Sequence, residues 1–303
     1  MGSATNYLAH GFRIEVDWPL PSGLLQQGLA DRAGLRVQMG EVRWSARPDP
    51  DEEGFEVVDE QHRFYWPILG SASIDETGLV TFDPKADAPQ GILSHAVLGP
   101  LCAHWIFMQK RIALHANCVA VDDQLLAVVG SSGAGKSSLA AALVGRGAVP
   151  HGDDVISLDP MTGLVPFGTS RIKLNPDILE QVPLRPTTIS ELYEGLDKRS
   201  VQFELPRDPR ERKLNVIYRL KDVEPGAQTS FLEVTGFPKA LGLLSEIYRP
   251  YVAVHAFGTE EMLRRCSSLV DKVKMFDLYR PRDLHRLSDL AGEVITHFQT
   301  LQQ

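Results

Sequence analysis

Apolar and polar residues alternate in short runs through the first part of the chain, and this two-residue period is typical of half-buried β-strands. Turn-forming residues separate the runs, among them Pro19, Pro21 and the sequence Glu76-Thr77-Gly78. An acidic, proline-containing stretch at 47–54 is expected to be a solvated loop. Strands are predicted at 11–16, 35–39, 42–44, 64–66, 72–74 and 79–82. Residues 1–88 are therefore predicted to form a small β-rich module.

A long uncharged segment follows at 91–109, where no Asp, Glu, Lys or Arg occurs. Its length would suffice for a membrane span, but His95, Pro100 and His104 interrupt the apolar run. A buried helix is the preferred prediction, broken or restarted near Pro100 because proline lacks an amide donor. We assign residues 89–110 to this connecting apolar helix and expect no membrane partner.

From residue 111 onward, strand patterns alternate with helical ones, which is typical of an α/β domain. Asp122-Asp123 is predicted to form a hairpin turn between strands at 112–121 and 125–129. Further strands are predicted at 155–158, 165–167, 171–174, 214–220 and 230–234, and helices at 138–144, 240–247, 259–272 and 284–298. The predicted fold class is α/β, with a catalytic domain over residues 111–303 behind the β-rich module.

One segment carries a complete phosphate-loop motif, G-x-x-x-x-G-K-[ST], between a predicted strand and a predicted helix. Its residues are Gly130, Ser131, Ser132, Gly133, Ala134, Gly135, Lys136 and Ser137, with Ser138 next along the chain. Glycines let consecutive N–H groups curl around an anion, and the helix N-terminus adds about half a positive charge. We expect Lys136 to reach the outer phosphates of a nucleoside triphosphate and the Ser137 hydroxyl to hold Mg²⁺. A glycine-rich turn that binds nothing is the alternative.

Phosphoryl transfer also needs a carboxylate for the metal ion and a group that orients or deprotonates the acceptor. The pair Asp153-Asp154 is the obvious supply, shortly after the predicted loop helix. The preceding residues, Pro150 to Gly152, indicate that the pair opens a strand instead of closing one. Because adjacent strand residues point to opposite faces, only one of the two carboxylates is expected to face the acceptor. A polar turn without function is the alternative.

Other polar residues in the predicted strands are less specific. His115 lies in an apolar strand, where a histidine is more often a satisfied core residue than a functional one. Arg171 with Lys173, and Lys198-Arg199, could contact phosphate or carboxylate groups. A solvated basic face remains an equal interpretation of these four residues.

Composition and charge exclude some classes of function. The chain has 303 residues, of which 43% are hydrophobic and 23% charged, with a formal net charge of -8. A nucleic-acid-coating role has no support from this charge. Cys102, Cys118 and Cys266 have no paired or metal-like spacing, which fits a reducing cytoplasm. Residues 1–10 lack the basic start and apolar stretch of a signal peptide, so a cytoplasmic protein is expected.

Three segments together resemble the catalytic core of the HPr serine kinase/phosphorylase superfamily. They are 114–119 (Leu-His-Ala-Asn-Cys-Val), 130–138, and 152–155 (Gly-Asp-Asp-Val). The sequence is still more similar to the HPr-kinase-related proteins encoded with ribosomal peptide biosynthesis, which include lasso-peptide kinases. Segments 11–14, 19–21 and 279–284 extend the resemblance over most of the chain.

The resemblance implies a kinase core of HPr-kinase type that uses ATP and Mg²⁺. It implies that Lys136 and the loop amides bind the phosphates, and that Ser137 and Asp154 serve Mg²⁺. It also implies that Asp153, assisted by His115, takes the proton of a serine hydroxyl that attacks the γ-phosphate. An exchange of roles between the two aspartates stays open.

The chain departs from HPr kinases in one respect, because no Glu-x-Arg-Gly-x-Gly segment follows Asp154. That absence argues against phosphorylase activity and against the carrier protein HPr as the target. A peptide with an acceptor serine, such as the C-terminal residue of a lasso precursor, is the expected partner, and homo-oligomerisation stays open. The alternatives are a nucleotide-gated regulatory ATPase without an acceptor, an HPr-type carrier-protein kinase, and a small-molecule or carboxykinase-like enzyme.

Overall fold

The computed structural model describes residues 5–21, 23–26, 34–89 and 91–302. Parts of the predicted β-rich module, at 1–4, 22 and 27–33, therefore lie outside the described residues. Within the described ranges the chain is a mixed α/β protein, as the sequence predicts.

Along the first strands buried residues alternate with more exposed ones, as in Phe12–Val16, where every second residue is buried. One face of their sheet therefore packs on the core. The sheet consists of β1 (Thr5–Ala9), β2 (Phe12–Val16), β3 (Leu25–Gln26), β4 (Leu35–Met39), β5 (Gly54–Val58), β6 (Gln61–Trp66), β7 (Gly70–Ile74) and β8 (Leu79–Pro84). Its described strands lie in the order β3-β1-β2-β4-β8-β7-β6-β5. The predicted strand at 42–44 is wrong, because these residues are irregular. The predicted loop at 47–54 ends where β5 begins.

The uncharged segment is a buried helical run with a defect at its proline. It consists of α1 (Ile92–Ala96), a π-helical turn (Val97–Leu101) that contains Pro100, and α2 (Cys102–Met108). Proline has no N–H and its ring crowds the preceding turn, so a wider turn lets the helix continue past it. In the part of the chain that the structure describes, no helix has the length and apolarity needed to cross a bilayer.

The second half of the chain interleaves strands and helices. They are β9 (Ile112–Leu114), β10 (Asn117–Val121), β11 (Gln124–Val129), α3 (Lys136–Gly145), β12 (Val149–Gly152), β13 (Ile156–Leu158), β14 (Leu164–Val165), β15 (Arg171–Leu174), α4 (Pro176–Gln181), β16 (Thr188–Glu191), β17 (Arg199–Gln202), β18 (Arg212–Val223), β19 (Ser230–Glu233), α5 (Gly236–Ser245), α6 (Pro250–Phe257), α7 (Thr259–Ser267), β20 (Lys274–Pro281) and α8 (Leu287–Thr300).

The central sheet of this half has the strand order β12-β10-β11-β18-β20-β19, and β14 pairs with β18. The strands β11, β18 and β20 are parallel, so their carboxyl ends meet at one edge of the sheet. The hairpin between β10 and β11 turns at Asp122 and Asp123, whose φ angles of 49° and 66° are left-handed. Two residues with positive φ suit the tight turn of a hairpin, and the predicted turn is confirmed.

Two predictions for this half are wrong. The predicted strand 112–121 is interrupted at His115, because β9 pairs with β13 whereas β10 pairs with β11 and β12. The predicted opening of a strand by Asp153-Asp154 is also wrong, since β12 ends at Gly152 and the acidic pair follows it. An extended β12 accommodates Pro150 because it pairs with only one neighbour, β10, among the described strands.

The hydrophobic core does not stop at the predicted boundary near residue 110. One buried cluster joins the N-terminal sheet, the apolar helix and the second half, and it includes Ile14, Phe82, Trp105, Phe107 and Met275. A second cluster lies between α3, α8 and the central sheet, and it includes Leu139, Leu143, Tyr218, Phe276 and Val294. The division into 1–88, 89–110 and 111–303 remains a prediction.

Two histidines meet inside the first cluster. The rings of His62 on β6 and His104 on α2 are 4.5 Å apart, and Phe64 and Phe257 also contact His104. His104 is 1% exposed. Neither of its ring nitrogens has a hydrogen-bond partner. Burial, together with the His62 charge, holds the pKa of His104 well below its ordinary value.

Acid is therefore expected to destabilise the protein partly through His104. The unfolded imidazole binds a proton near pH 6.5, so the free energy of unfolding falls as the pH falls below that value, by at most about 1.4 kcal/mol per pH unit for this group. His104→Phe should flatten the pH dependence of urea unfolding, because the phenyl ring cannot titrate. His285→Phe, at an exposed site, should leave the slope unchanged, and an unchanged slope in His104→Phe would contradict the prediction.

Candidate phosphate-binding site

The glycine motif connects β11 to α3, so the strand–loop–helix order expected from the sequence is present. The three loop glycines all have positive φ: 143° at Gly130, 75° at Gly133 and 93° at Gly135. These angles are readily available to glycine alone. The loop backbone therefore depends on the glycines that the motif specifies.

Lys136, the first residue of α3, turns back over this loop. Its Nζ donates hydrogen bonds to the carbonyl oxygens of Gly130 at 2.7 Å and Ser131 at 3.2 Å. The side chain is only 7% exposed. Burial lowers the pKa of Lys136, and the charge of Asp154 opposes that effect. The ammonium thus lies inside the loop, where an incoming anion would meet it.

Side chains from distant parts of the chain hold the loop from outside. Arg280, at the end of β20, donates to the carbonyl oxygen of Ala134, and Arg282 donates to that of Gly133 at 2.7 Å. The Gly130 N–H donates to Oε2 of Glu246 at 3.0 Å. Arg280 reaches the loop because β20 and β11 are parallel strands whose ends share one edge. The sequence motif gave no sign of these three contacts.

Arg280→Met is expected to weaken folding, and also the nucleotide binding that the glycine motif predicts. It removes the bond to Ala134 and the 2.8 Å bond to Asp222, and a hydrogen bond to a charged group contributes about 1.5–3 kcal/mol. Urea unfolding and calorimetric titration with ATP would measure the two losses. Arg286→Met is the matched control, because Arg286 is 44% exposed and approaches Glu293 only to 3.7 Å. Equal stability and equal ATP affinity in the two variants would contradict the conclusion that Arg280 holds the loop in place.

The two aspartates after β12 point to different places. Asp153 is 5% exposed. Its Oδ1 accepts from Asn117 Nδ2 at 2.7 Å and its Oδ2 from the Lys173 N–H at 3.2 Å. Burial, together with the neighbouring Asp154 charge, raises the pKa of Asp153. Asp153 is therefore an oriented, buried carboxyl group behind the pocket wall.

Asp154 is part of the pocket wall itself. Its φ of 64° is left-handed, a conformation that aspartate tolerates better than most residues. The Lys173 ammonium donates to its Oδ2, and His115 Nε2 lies 3.8 Å from its Oδ1. Burial alone would raise the pKa of Asp154, but the charge and hydrogen bond of Lys173 hold it well below its usual range. Asp154 is therefore an anion beside the glycine loop.

His115 occupies the break between β9 and β10, which turns its ring toward the loop instead of the core. The backbone N–H of His115 donates to the Glu246 carbonyl oxygen at 2.8 Å. The His115 ring packs edge-on against the Tyr248 ring, with the ring centroids 5.5 Å apart. Burial and the nearby Lys136 charge lower the pKa of His115 to about 4. The imidazole is therefore neutral at neutral pH, and the side chain is about one-third exposed.

These groups line one cavity of about 130 Å³, which we call the loop pocket. Its lining residues are His115, Ser132, Gly133, Gly135, Lys136, Ser137, Ser138, Asp154, Lys173, Leu174, Asn175 and Lys198. Most of the predicted site residues are thus brought together. Asp153 lies outside the lining, and Gly130, Ser131 and Ala134 line neighbouring cavities instead. For Lys173 the sequence left two interpretations open, a contact with a phosphate or carboxylate group and a place on a solvated basic face. The second is wrong, because Lys173 is buried.

Two larger cavities adjoin the loop. A cavity of about 230 Å³, lined in part by Leu139, Ile178, Leu284 and Leu287, lies on the α3–α4 side. A polar groove of about 540 Å³ lies on the other side, and Gly130, Arg219, Glu246 and Arg249 are among its lining residues. His115 lines both the loop pocket and this groove. A ligand longer than the loop pocket therefore has room on either side of it.

The metal-ligating oxygens in the loop pocket fit magnesium better than a metal whose ligands all come from protein side chains. In the described ranges, no three His, Cys, Asp or Glu side chains cluster as a metal site. Mg²⁺ is usually held by one or two protein oxygens together with water and substrate phosphates. Ser137 Oγ and the Asp154 carboxylate are two such oxygens in one pocket.

Comparisons with known proteins give limited matches. No protein-family model matches the chain, and no curated protein matches it either. Among solved structures, the chain is similar to the Hpr(Ser) kinase/phosphatase from Coxiella burnetii, with 14% sequence identity and a TM-score of 0.32. The match covers 63% of this chain and 99% of that one.

Proposed function

We propose that this protein is an ATP- and Mg²⁺-dependent phosphotransferase that phosphorylates a serine hydroxyl of a peptide. The observation that supports it most is the composition of the loop pocket, where loop glycines, Lys136, Ser137, His115 and Asp154 line a single cavity. A glycine-rich turn without a ligand would not require two buried lysines and an anionic carboxylate around it. The polar-turn alternative for Asp153-Asp154 has less support for the same reason.

In this proposal the loop amides and the Lys136 ammonium bind the phosphates. The α3 N-terminus adds its partial positive charge below them. Lys136 now donates to two loop carbonyls, and phosphate oxygens would replace those acceptors. The Ser137 hydroxyl and the Asp154 carboxylate would hold Mg²⁺, which when bound neutralises charge on the transferred group.

The transfer itself is one displacement. The serine oxygen forms a bond to the γ-phosphorus while the bond from that phosphorus to the β–γ bridging oxygen breaks, so ADP leaves. The serine proton passes to Asp153, whose raised pKa makes it a stronger base than an ordinary carboxylate. Asp153 lies behind the wall, but catalytic hydrogen bonds commonly tighten only in the substrate complex. His115, neutral and beside Asp154, would orient the hydroxyl.

The nature of the acceptor rests on the sequence resemblance. It suggests a serine of a ribosomal peptide, such as the C-terminal residue of a lasso-type precursor. The polar groove beside His115 is about 540 Å³, which gives a peptide segment room next to the loop pocket.

The deciding experiment is intact-mass analysis of candidate peptides after incubation with ATP and Mg²⁺. A gain of one phosphate on a particular serine would support the proposal, and repeated gains on that residue would indicate polyphosphorylation. Free phosphate without a phosphorylated peptide would instead favour a nucleotide-gated ATPase. Phosphorylation of the carrier protein HPr, and of no peptide, would favour the carrier-protein kinase.

A further inference from the structure

A second lysine shares the loop pocket with Lys136, and it comes from a strand that the phosphate-loop motif does not include. Hydrophobic and basic residues alternate along β15. Ile172 and Leu174 belong to the hydrophobic cluster under α3, whereas the charges of the acidic pair act on Arg171 and Lys173. Arg171 is 4% and Lys173 5% exposed. Burying two cations is costly unless anions are close to them. The burial of Arg171 and Lys173 therefore depends on the nearby charges of Asp153 and Asp154.

Lys173 contacts both aspartates. Its backbone N–H donates to Asp153 Oδ2 at 3.2 Å, and its ammonium donates to Asp154 Oδ2. Lys173 also belongs to the lining of the loop pocket, together with the loop residues Gly133, Gly135 and Lys136. Lys173 thus connects the acidic pair with the space that the phosphates would occupy.

The hydrogen-bonding capacity of this ammonium is only partly used. A lysine has three donors, and Asp154 accepts from one of them. Among the described residues, no second acceptor is bonded to Lys173 Nζ. Lys136, by comparison, donates to two carbonyls of the loop. A buried ammonium with unused donors, facing a cavity lined by loop glycines, is suited to an anion in that cavity.

We propose that Lys173 is a second phosphate-binding lysine, which contacts the γ-phosphate of the bound nucleotide while it keeps Asp154 in place. This inference rests on the proposed nucleotide site. The γ-phosphate is the expected target because Lys173 approaches from the side of Asp154 and His115, where the acceptor would enter. The loop amides would hold the α- and β-phosphates, and Lys136 would reach the β- and γ-phosphates from the side of the loop.

The test is a comparison of two nucleotides. Calorimetric titration would measure the affinity of Lys173→Met for Mg²⁺ with AMP-PNP, which has a γ-phosphate, and with ADP, which has none. A lost contact of a charged donor should weaken AMP-PNP binding by about tenfold or more and leave ADP binding nearly unchanged. Lys173→Arg, which keeps the charge, should restore most of the difference. The exposed Lys213→Met should behave as wild type with both nucleotides.

A merely structural role would weaken both nucleotides equally, and that result in a folded variant would overturn the inference. Lys173→Met leaves Asp154 buried without its partner and could therefore fail to fold. In that event the double variant Asp154→Asn/Lys173→Met, which removes both charges of the pair, is compared with Asp154→Asn, and an equal ratio of AMP-PNP affinity to ADP affinity in the two would overturn the inference. Wild-type protein that binds neither nucleotide would overturn the proposed function as well, so the two failures are distinguishable.

Discussion

Asp153→Asn should lower the rate of phosphoryl transfer by about 10²- to 10⁴-fold, which is the usual contribution of a positioned general base. An amide keeps the shape of the carboxylate but does not accept the serine proton. The buried site can accommodate the change, because a flip of the Asn117 side chain, which now donates to Asp153 through Nδ2, would turn its unpartnered Oδ1 toward the new amide. Nucleotide affinity should be retained, because Asp153 is not in the lining of the loop pocket. Rapid-quench measurement of phosphopeptide and calorimetric titration with ATP would separate the two effects.

Asp154→Asn is the matched variant for this experiment. Asp154 is in the pocket lining beside Ser137, so its loss should raise the Mg²⁺ concentration needed for half-maximal activity. Asp153→Asn should leave that concentration unchanged. Transfer at a near-wild-type rate by Asp153→Asn, together with full loss in Asp154→Asn, would show that the two aspartates have exchanged roles.

Lys136→Ala is the second change with a large expected effect. It should reduce turnover by about 10²- to 10³-fold, the loss that follows when one positioned donor to a developing charge is removed. ATP affinity should fall as well, because Lys136 Nζ already lies over the loop, within 2.7 Å of the Gly130 carbonyl. Steady-state kinetics at saturating ATP, with peptide phosphorylation as the readout, would measure the first loss and calorimetry the second.

The exposed Lys274→Ala is the control for Lys136→Ala, and it should retain both turnover and affinity. Thermal unfolding of Lys136→Ala is needed too, because the substitution removes two hydrogen bonds to loop carbonyls. Unchanged ATP affinity in a folded Lys136→Ala would contradict the assignment of the loop pocket to phosphate.

The parts of the fold that could be predicted from sequence are those where a local pattern decides the structure. The alternation of Phe12–Val16 and Leu35–Met39 appears directly as strands, and the apolar run before the glycine motif is β11. The short elements α4 and β16 were not predicted, because at four to six residues they are set by tertiary contacts more than by periodicity. The break at His115 escaped prediction for a different reason. It arises because β9 and β10 pair with different strands.

The site divides in the same way. The motif predicts the loop conformation because positive φ angles require glycine at fixed positions. It cannot predict which distant side chains reach the loop, and Glu246 and Arg280 arrive there only through the strand order of the central sheet. The burial of Lys173 could not be predicted either, since the alternating sequence R-I-K-L is compatible with a solvent-exposed or a buried basic face of the strand. Its charge partner, Asp154, is 19 residues away in sequence.

The ring of Trp105 belongs to a core to which both halves of the chain contribute, and a Cβ placed on Gly78 would come within 3.1 Å of that ring. The β-rich part is consequently not a detachable accessory. If the chain were shortened to its phosphate-loop half, hydrophobic core residues of that half, such as Met275, would become exposed to solvent. A large exposed hydrophobic surface favours aggregation.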